Sequence, residues 1–235
     1  MGLALLVAVP RVVAQDKIVK NDGSVVQGTI QEFRSGSVMI NVNGAVLGVK
    51  APEINKVEMQ APAEFTQAKT LAPAEQIKKL APLVAKFKGM PSDWVTEAMA
   101  DVARAHSALG QDQQSLAIYE EMEKLYPNNR FRIQASAGKA EMLLKSNKPE
   151  EALKMIAPLI EQANKTISPS DDDAKLYANA FLVQGRALEA QGKLSEALEA
   201  YLTVVTTLYQ NADVAKKAEE LATKLRHSNP NLIVN

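Results

Sequence analysis

The sequence predicts an α+β protein: a small N-terminal β-barrel-like unit, then an all-α solenoid of helical hairpins ending in a capping helix. Residues 17–59 alternate apolar and polar side chains between Asn-Asp-Gly, Ser-Gly and Asn-Gly turns, the texture of short strands. From Trp94 on, apolar residues recur at the three- and four-residue spacing of helices packed on one face. Inside that half one pattern of small, apolar and aromatic residues occurs three times, and a repeat of this kind means stacked hairpins. The predicted division is 1–14 an export segment, 15–60 the β unit, 61–92 a linker with an irregular lead-in helix, 93–211 three hairpins, and 212–235 the capping helix and tail.

The chain opens on a short apolar run, residues 3–9, followed by Val12-Val13-Ala14, whose small last residue suits a signal peptidase and places Gln15 at the mature start. The run is too short to span a bilayer, which takes about 20 apolar residues. No Lys or Arg precedes it, so it reads as a clipped signal or as part of one that starts upstream. A buried strand or helix would use the same residues. The expectation is export to the periplasm or beyond, with no stable membrane insertion once the signal is removed.

Ile18-Val19 leads into Asn21-Asp22-Gly23, a tight-turn signal. Residues 25–33 alternate as a strand, with Gly28 marking a bend or a close approach of backbone. Ser35-Gly36 turns the chain into a third strand at 38–42. Asn43-Gly44 suits a type I′ turn into a fourth at 45–49, and a fifth follows Pro52 at 54–59. Five short strands, sharply bent at Gly28, imply a small barrel. The run Gly28-Thr29-Ile30, Val38-Met39-Ile40, Asn43-Gly44 and Ile54-Asn55-Lys56-Val57 resembles the core of Sm-like and SH3-like barrels over about a fifth of the chain. The Asn/Asp and Arg-Gly signatures with which Sm proteins contact RNA are not evident here. The resemblance therefore implies a structural or oligomerising module, and nucleic-acid binding is not carried over.

Ala61-Pro62-Ala63 closes this unit. Residues 64–88 are helical in period through Ile77, Leu80, Ala81, Val84 and Phe87; Pro73 suits a first helical turn, while Pro82 in a helix interior predicts a kink. Residues 89–93 break the chain, and Ser92 or Asp93 is placed to cap the helix that begins at Trp94. Helix pairs follow at about 94–109 and 112–126, 131–146 and 149–164, 173–191 and 194–209, with a last helix at about 212–227. The breaks carry Leu109-Gly110, Pro127-Asn128-Asn129, Asn147-Lys148-Pro149 and Gln191-Gly192. Asp171-Asp172-Asp173 lacks the spaced ligands of a calcium loop and reads as helix capping by Asp172 or Asp173.

The three copies start near Thr96, Ile133 and Ala178, 37 and 45 residues apart. Ala103, Ala140 and Gly185 occupy a small-residue slot, and His106, Leu143 and Leu188 follow three residues later. Ser115, Ala152 and Ala197 open the second helix, and Tyr119, Ile156 and Tyr201 come four residues on. In residues and period, 94–211 resembles the tetratricopeptide repeats, whose unit of about 34 residues is here lengthened at 128–132 and 168–173. The family's helix-ending proline appears once, as Pro127, and its tryptophan slot holds Met99, Ser136 and Phe181. A generic antiparallel bundle would use the same spacing. Three copies, followed by a helix bearing Lys216, Lys217, Glu219, Glu220 and Lys224, fit a capped solenoid.

In the tetratricopeptide family the first helix of each hairpin lines a concave groove. By register that face offers Glu97, Arg104 and Ser107, then Gln134, Glu141 and Lys145, then Asn179, Arg186 and Glu189. The resemblance implies a protein or peptide partner there; the mixed signs name no charge for it, and the Lys/Asn clamp of some relatives is not reproduced. Lys+Arg and Asp+Glu are equal at 27 each, so no net field draws the chain to nucleic acid or an anionic membrane. With no cysteine, disulfides, thiolate nucleophiles and Cys-based zinc sites are excluded. His106 falls in a core slot and reads as packed; His227 ends a helix, where a cation suits the dipole. Phosphate-loop, dinucleotide and nucleophile-elbow motifs are absent, and no catalytic residue, cofactor or metal ligand is assigned. The expectation is a non-catalytic interaction adaptor or scaffold of the bacterial cell envelope. The alternative is an oligomerising envelope structural or assembly protein whose β unit makes the contacts, and a homo-oligomer is compatible with both.

Overall fold

A computed structural model describes residues 15–127 and 129–233; the export segment expected over 1–14 lies outside them. Five strands make one antiparallel sheet: β1 (Asp16–Lys20), β2 (Val25–Arg34), β3 (Ser37–Val42), β4 (Ala45–Lys50) and β5 (Ile54–Glu58), in the order β4-β3-β2-β1-β5. Asn43 and Gly44 both take positive φ, 51° and 93°, as a type I′ turn requires.

β2 is the strand that bends. Its first half pairs with β1, from Asp16↔Gly28 to Val19↔Val25, and its second half with β3, from Thr29↔Asn41 to Arg34↔Ser37. At the corner a Cβ on Gly28 would stand 2.1 Å from the Asn41 carbonyl oxygen, a separation no side chain tolerates. A register shift between Ile30 and Glu32 adds to the bend, and the Asp16 carboxylate accepts the Ile30 N–H at 2.8 Å. The expected barrel is not closed, however. β4 and β5 stand at opposite ends of the sheet and no ladder joins them among the described residues, so the Sm-like and SH3-like resemblance finds no support beyond a bent antiparallel sheet.

Helices cover this sheet. Ile18, Ile30, Val38, Ile40 and Val49 are buried in one cluster with residues of α1 (Ala63–Ala68), α2 (Pro73–Phe87) and α3 (Asp93–Ala108), among them Phe65, Leu80, Phe87, Trp94 and Val95. The Phe87 ring meets Trp94 edge-on with centroids 5.2 Å apart. Between α2 and α3, the Gly89 N–H donates to the Tyr126 hydroxyl at 2.7 Å, while a Cβ on Gly89 would strike the Phe33 ring at 2.4 Å. The stretch expected as a linker with an irregular lead-in thus holds two helices that join the sheet to the rest. Pro82 leaves α2 continuous because it and Lys78, the residue whose carbonyl it deprives of a partner, are both on the solvent face.

Three hairpins follow, α3 with α4 (Asp112–Leu125), α5 (Asn129–Lys145) with α6 (Pro149–Lys165), and α7 (Asp171–Ala190) with α8 (Leu194–Thr207), and α9 (Ala212–Ser228) packs on the last. The first helix of each ends identically. The N–H groups of Gln111, Lys148 and Lys193 donate to the carbonyls of His106, Leu143 and Leu188 at 2.9, 2.9 and 3.0 Å. One residue earlier, Gly110, Asn147 and Gly192, all at positive φ, donate to Ser107, Leu144 and Glu189. This is the Schellman closure made three times, so the repeat in side chains is also a repeat in backbone. The small slots Ala103, Ala140 and Gly185 and the large ones Tyr119, Ile156 and Tyr201 are all buried. A Cβ on Gly185 would lie 2.4 Å from the Tyr201 ring, and one on Gly138 would lie 2.2 Å from the Tyr119 ring. The arrangement is that of a tetratricopeptide-like array.

Three local expectations change. His106 is not packed in the core: it is half-exposed, with Nδ1 2.6 Å from Gln111 Oε1, because the closure after α3 brings Gln111 back beside it. Ser170 rather than an aspartate caps α7; its Oγ accepts the Asp173 N–H at 3.2 Å and donates to the Asp173 carboxylate at 2.7 Å, while the Asp172 side chain lies outside the described ones. Ser92 holds the N-cap position of α3 but makes no side-chain capping bond.

Candidate functional site

α3 contacts α5, α5 contacts α7 and α7 contacts α9, so the first helix of each hairpin joins a continuous inner layer that α9 extends. Along this layer runs a groove of about 780 Å³. α3 lines it with Asp93, Thr96, Glu97, Asp101, Arg104 and Ser107, and α5 with Ala137, Gly138, Glu141, Met142 and Lys145. α7 adds Lys175, Asn179, Leu182, Val183 and Arg186, and α9 adds Asp213, Val214 and Lys217; Lys69 and Gln76 also contribute.

Of the residues expected on this face, Glu97, Arg104, Ser107, Glu141, Lys145, Asn179 and Arg186 line the groove. Glu189 does not; its Oε2 accepts from the Tyr201 hydroxyl at 2.8 Å, between α7 and α8. Gln134 lies outside the described side chains. Most of the seven are already engaged. Arg186 Nη1 donates to Glu141 Oε1 at 2.8 Å, tying α7 to α5. Lys145 Nζ donates to the Ser107 carbonyl at 2.7 Å, to the Ser107 hydroxyl, and to Asp112 Oδ1 at 3.3 Å, tying α5 to the α3–α4 turn. Glu97 accepts from Lys69 at 2.7 Å, and Asn179 Nδ2 donates to the Lys175 carbonyl at 2.8 Å. These charges set how one hairpin sits on the next as well as what the groove presents.

Sequence register missed Asp101, Lys69, Gln76, Lys175 and the three groove residues of α9. One signal was available, since Asp93, Glu97 and Asp101 fall at i, i+4 and i+8 on a single helical stripe. Asp101 differs from its neighbours in being buried, at 9% exposure. Its Oδ1 accepts from Arg104 Nη2, while Oδ2 is buried with no hydrogen-bond partner. Burial pushes its pKa up, against the pull of the Arg104 guanidinium. The Tyr119 phenol, facing Arg104 at the back of the groove, is pushed up to about 12 by burial.

Charge is divided across the groove. α3 supplies three carboxylates and one guanidinium, whereas α7 and α9 supply Lys175, Arg186 and Lys217 against Asp213. Lys217 is exposed and makes no ion pair among the described residues. Among the described residues no three His, Asp or Glu side chains are grouped to hold a metal ion, and no helix is long and apolar enough to cross a membrane.

No protein-family model matches the chain, and no curated protein matches it. Two solved structures of MamA are similar to it. "MamA 41-end from Desulfovibrio magneticus RS-1" is 18% identical, with 72% of this chain and 99% of that one covered and a TM-score of 0.41. The "MamA RS-1 ArsTM double mutant" is 17% identical, with 73% and 99% covered and a TM-score of 0.41.

Proposed function

We propose that this chain is a non-catalytic adaptor that receives a segment of a partner protein in the groove along α3, α5, α7 and α9. The observation that carries the proposal is the continuous inner layer: four helices present one cavity of about 780 Å³, floored by small residues such as Ala137 and Gly138 and walled by side chains of both signs. Such a surface suits an extended or helical peptide. The proposed setting is the bacterial cell envelope, reached through the signal-like segment at residues 1–14; N-terminal sequencing of the protein from fractionated host cells is expected to begin at Gln15.

A second reading rests on the sheet. β4 is an edge strand with Val46 and Leu47 about half exposed, 49% and 47%, and an exposed apolar edge is a site of strand pairing between chains. On this reading the β unit makes oligomeric contacts in an envelope assembly.

The absence of cysteine makes the two readings separable by site-directed cross-linking. A single cysteine carrying a photoreactive group is placed at Lys217 in the groove, at exposed Glu199 on α8 outside it, or at Leu47 on β4. Irradiation in host envelope extract is expected to give a discrete heterologous adduct from position 217 and none from 199. Adducts only from 47, of twice the chain's mass, would favour the second reading; none from 217 would end the first.

A further inference from the structure

β4 and β5 are the two edges of the sheet, and they are built differently. β5 is guarded: Lys56 and Glu58 pair at 2.9 Å, Pro52 precedes it, and its ladder to β1 shifts register between Val19 and Lys20. Charges, proline and irregularity keep an edge from pairing with another chain. β4 has none of these before Lys50. From Ser35 to Val49 the chain carries no charged residue, and the ladder to β3 runs unshifted from Ser37↔Lys50 to Val42↔Ala45. Its outward groups are fixed by the ladder. The type I′ turn makes Val42 and Ala45 a hydrogen-bonded pair, and at the far end the Ala51 N–H donates to the Gly36 carbonyl at 2.9 Å. Between these ends Leu47 and Val49 bond to β3, so Val46, Gly48 and the Lys50 N–H point off the edge. Leu47 lies opposite buried Ile40 and on the face of buried Val49, yet is 47% exposed. The core of the sheet thus reaches the surface at β4.

We infer that β4 pairs antiparallel with β4 of a second copy about a two-fold axis at Gly48, joining the two sheets edge to edge. A strand set antiparallel against itself is complementary by symmetry. Here no charge on the β3–β4 hairpin repels its own copy or calls for an opposite one. Centring on Gly48 sets Val46 against the partner's Lys50 and Leu47 against the partner's Val49. A shift of two residues one way would set Lys50 against the Gly44 turn; the other way would set Val46 against Pro52, which has no N–H. Leu47 and the partner's Val49 form a non-hydrogen-bonded pair, where side chains approach most closely, so each core closes over the other. On the opposite face Met39 covers the glycine, its Sδ lying 3.3 Å from where a Cβ on Gly48 would stand. The guarded β5 is a poor mate, so the assembly closes at two copies. The interface is small, and complexes below about 1,200 Å² are weak or transient, so the dimer depends on concentration. This inference rests on the second reading above in taking β4 as a contact strand, and it leaves the groove reading untouched.

Sedimentation of the full chain over a concentration series is the first arm of the test. Wild type is expected to pass from monomer to dimer. Val46→Pro removes an N–H that points off the edge and spares the ladder to β3, and Leu47→Lys puts a charge on the exposed core face. Each is expected to weaken the dimer by about tenfold or more, with helical circular dichroism unchanged. The second arm reads the register. Leu47→Cys and Val49→Cys chains, one carrying a size tag, are mixed and oxidised. The mixed 47–49 disulfide is expected in excess of its statistical share. An excess of either like pair overturns the Gly48 axis, while β4 stays a contact strand. A wild-type dimer that both edge variants leave unmoved overturns the inference as well. If wild type stays monomeric while Leu47 cross-links to a different protein, self-pairing falls and β4 again remains a contact strand. Monomeric protein with no adduct from Leu47 sinks both. Where Val46→Pro fails to fold, Leu47→Lys and the disulfides still decide.

Discussion

Arg186 on α7 and Glu141 on α5 meet at 2.8 Å across 45 residues of sequence, so the wall of the groove is itself a bond between successive hairpins. Lys145 makes the corresponding tie one hairpin earlier, to Ser107 and Asp112. Reversing one charge of the Arg186–Glu141 pair therefore changes both surface and pitch. Both side chains are about a third exposed, and pairs of this kind couple by about 0.2–1 kcal/mol. Arg186→Glu and Glu141→Arg are each expected to lower the urea midpoint, and the charge-swapped double variant to recover part of the loss. The swap is also expected to keep the position-217 cross-link better than either single change. A double-mutant cycle with no coupling would show that the pair does not hold the hairpins together.

The glycines beneath the two tyrosines have a more severe constraint. Side chains at Gly138 and Gly185 would lie within 2.2 and 2.4 Å of the Tyr119 and Tyr201 rings, which are themselves buried. Overpacking of this kind costs about 1–3 kcal/mol. Gly138→Ala and Gly185→Ala are each expected to destabilise the chain by that amount in urea, despite the better helix propensity of alanine. In a Tyr201→Leu background Gly185→Ala is expected to cost less than in the wild type. An equal cost in both backgrounds would place the strain elsewhere.

The turn residues show where sequence is legible. Gly110, Asn147 and Gly192 end helices through one local backbone motif, so the hairpin breaks can be read without knowing any long-range contact. Closure of the sheet is different in kind. Period-2 alternation says which face of β2 and β3 is buried but not what covers it, and here α1 to α3 supply the cover that a barrel would have found in itself. Pro82 lies inside a helix that runs on from Pro73 to Phe87. The buried stripe of Leu80 and Phe87 leaves it on the far side, facing water. At the groove, register finds Arg186 and Glu141 but not their pairing, which spans two hairpins. It also passes over α9, whose charged composition reads as a cap although Lys217 lines the groove.

Asp101 gives the chain a pH signature of definite sign. Its ordinary pKa of 3.8 is raised in the fold by burial, with Glu97 adding to the rise and Arg104 and Lys69 opposing it. The native state therefore holds this proton more tightly than the unfolded chain does. Stability from Asp101 is fully present below pH 3.8 and is lost as pH rises through the higher folded value. The asparagine of the Asp101→Asn variant cannot titrate, so the stability of wild type relative to that variant is expected to fall with rising pH across that window and then level off. Urea midpoints for both proteins at a series of pH values measure it. A difference that instead grows with pH would mean that the Arg104 pair outweighs burial.

Ile40 and Trp94 test whether sheet and helices fold as one body. Ile40 on β3 is fully buried in the same cluster as Trp94 on α3, the only tryptophan of the chain. Removing its side chain to Cβ leaves a cavity that costs about 2–5 kcal/mol. Because the cluster runs without a break from the strands through Phe65, Leu80 and Phe87 to Trp94, the loss is not confined to the sheet. Ile40→Ala is expected to lower the midpoint of Trp94 fluorescence and that of helical circular dichroism together, since one cooperative unit unfolds with coincident probes. If circular dichroism keeps its wild-type midpoint while the sheet unfolds early, residues 15–60 are an independent domain and the shared core contributes little to the array.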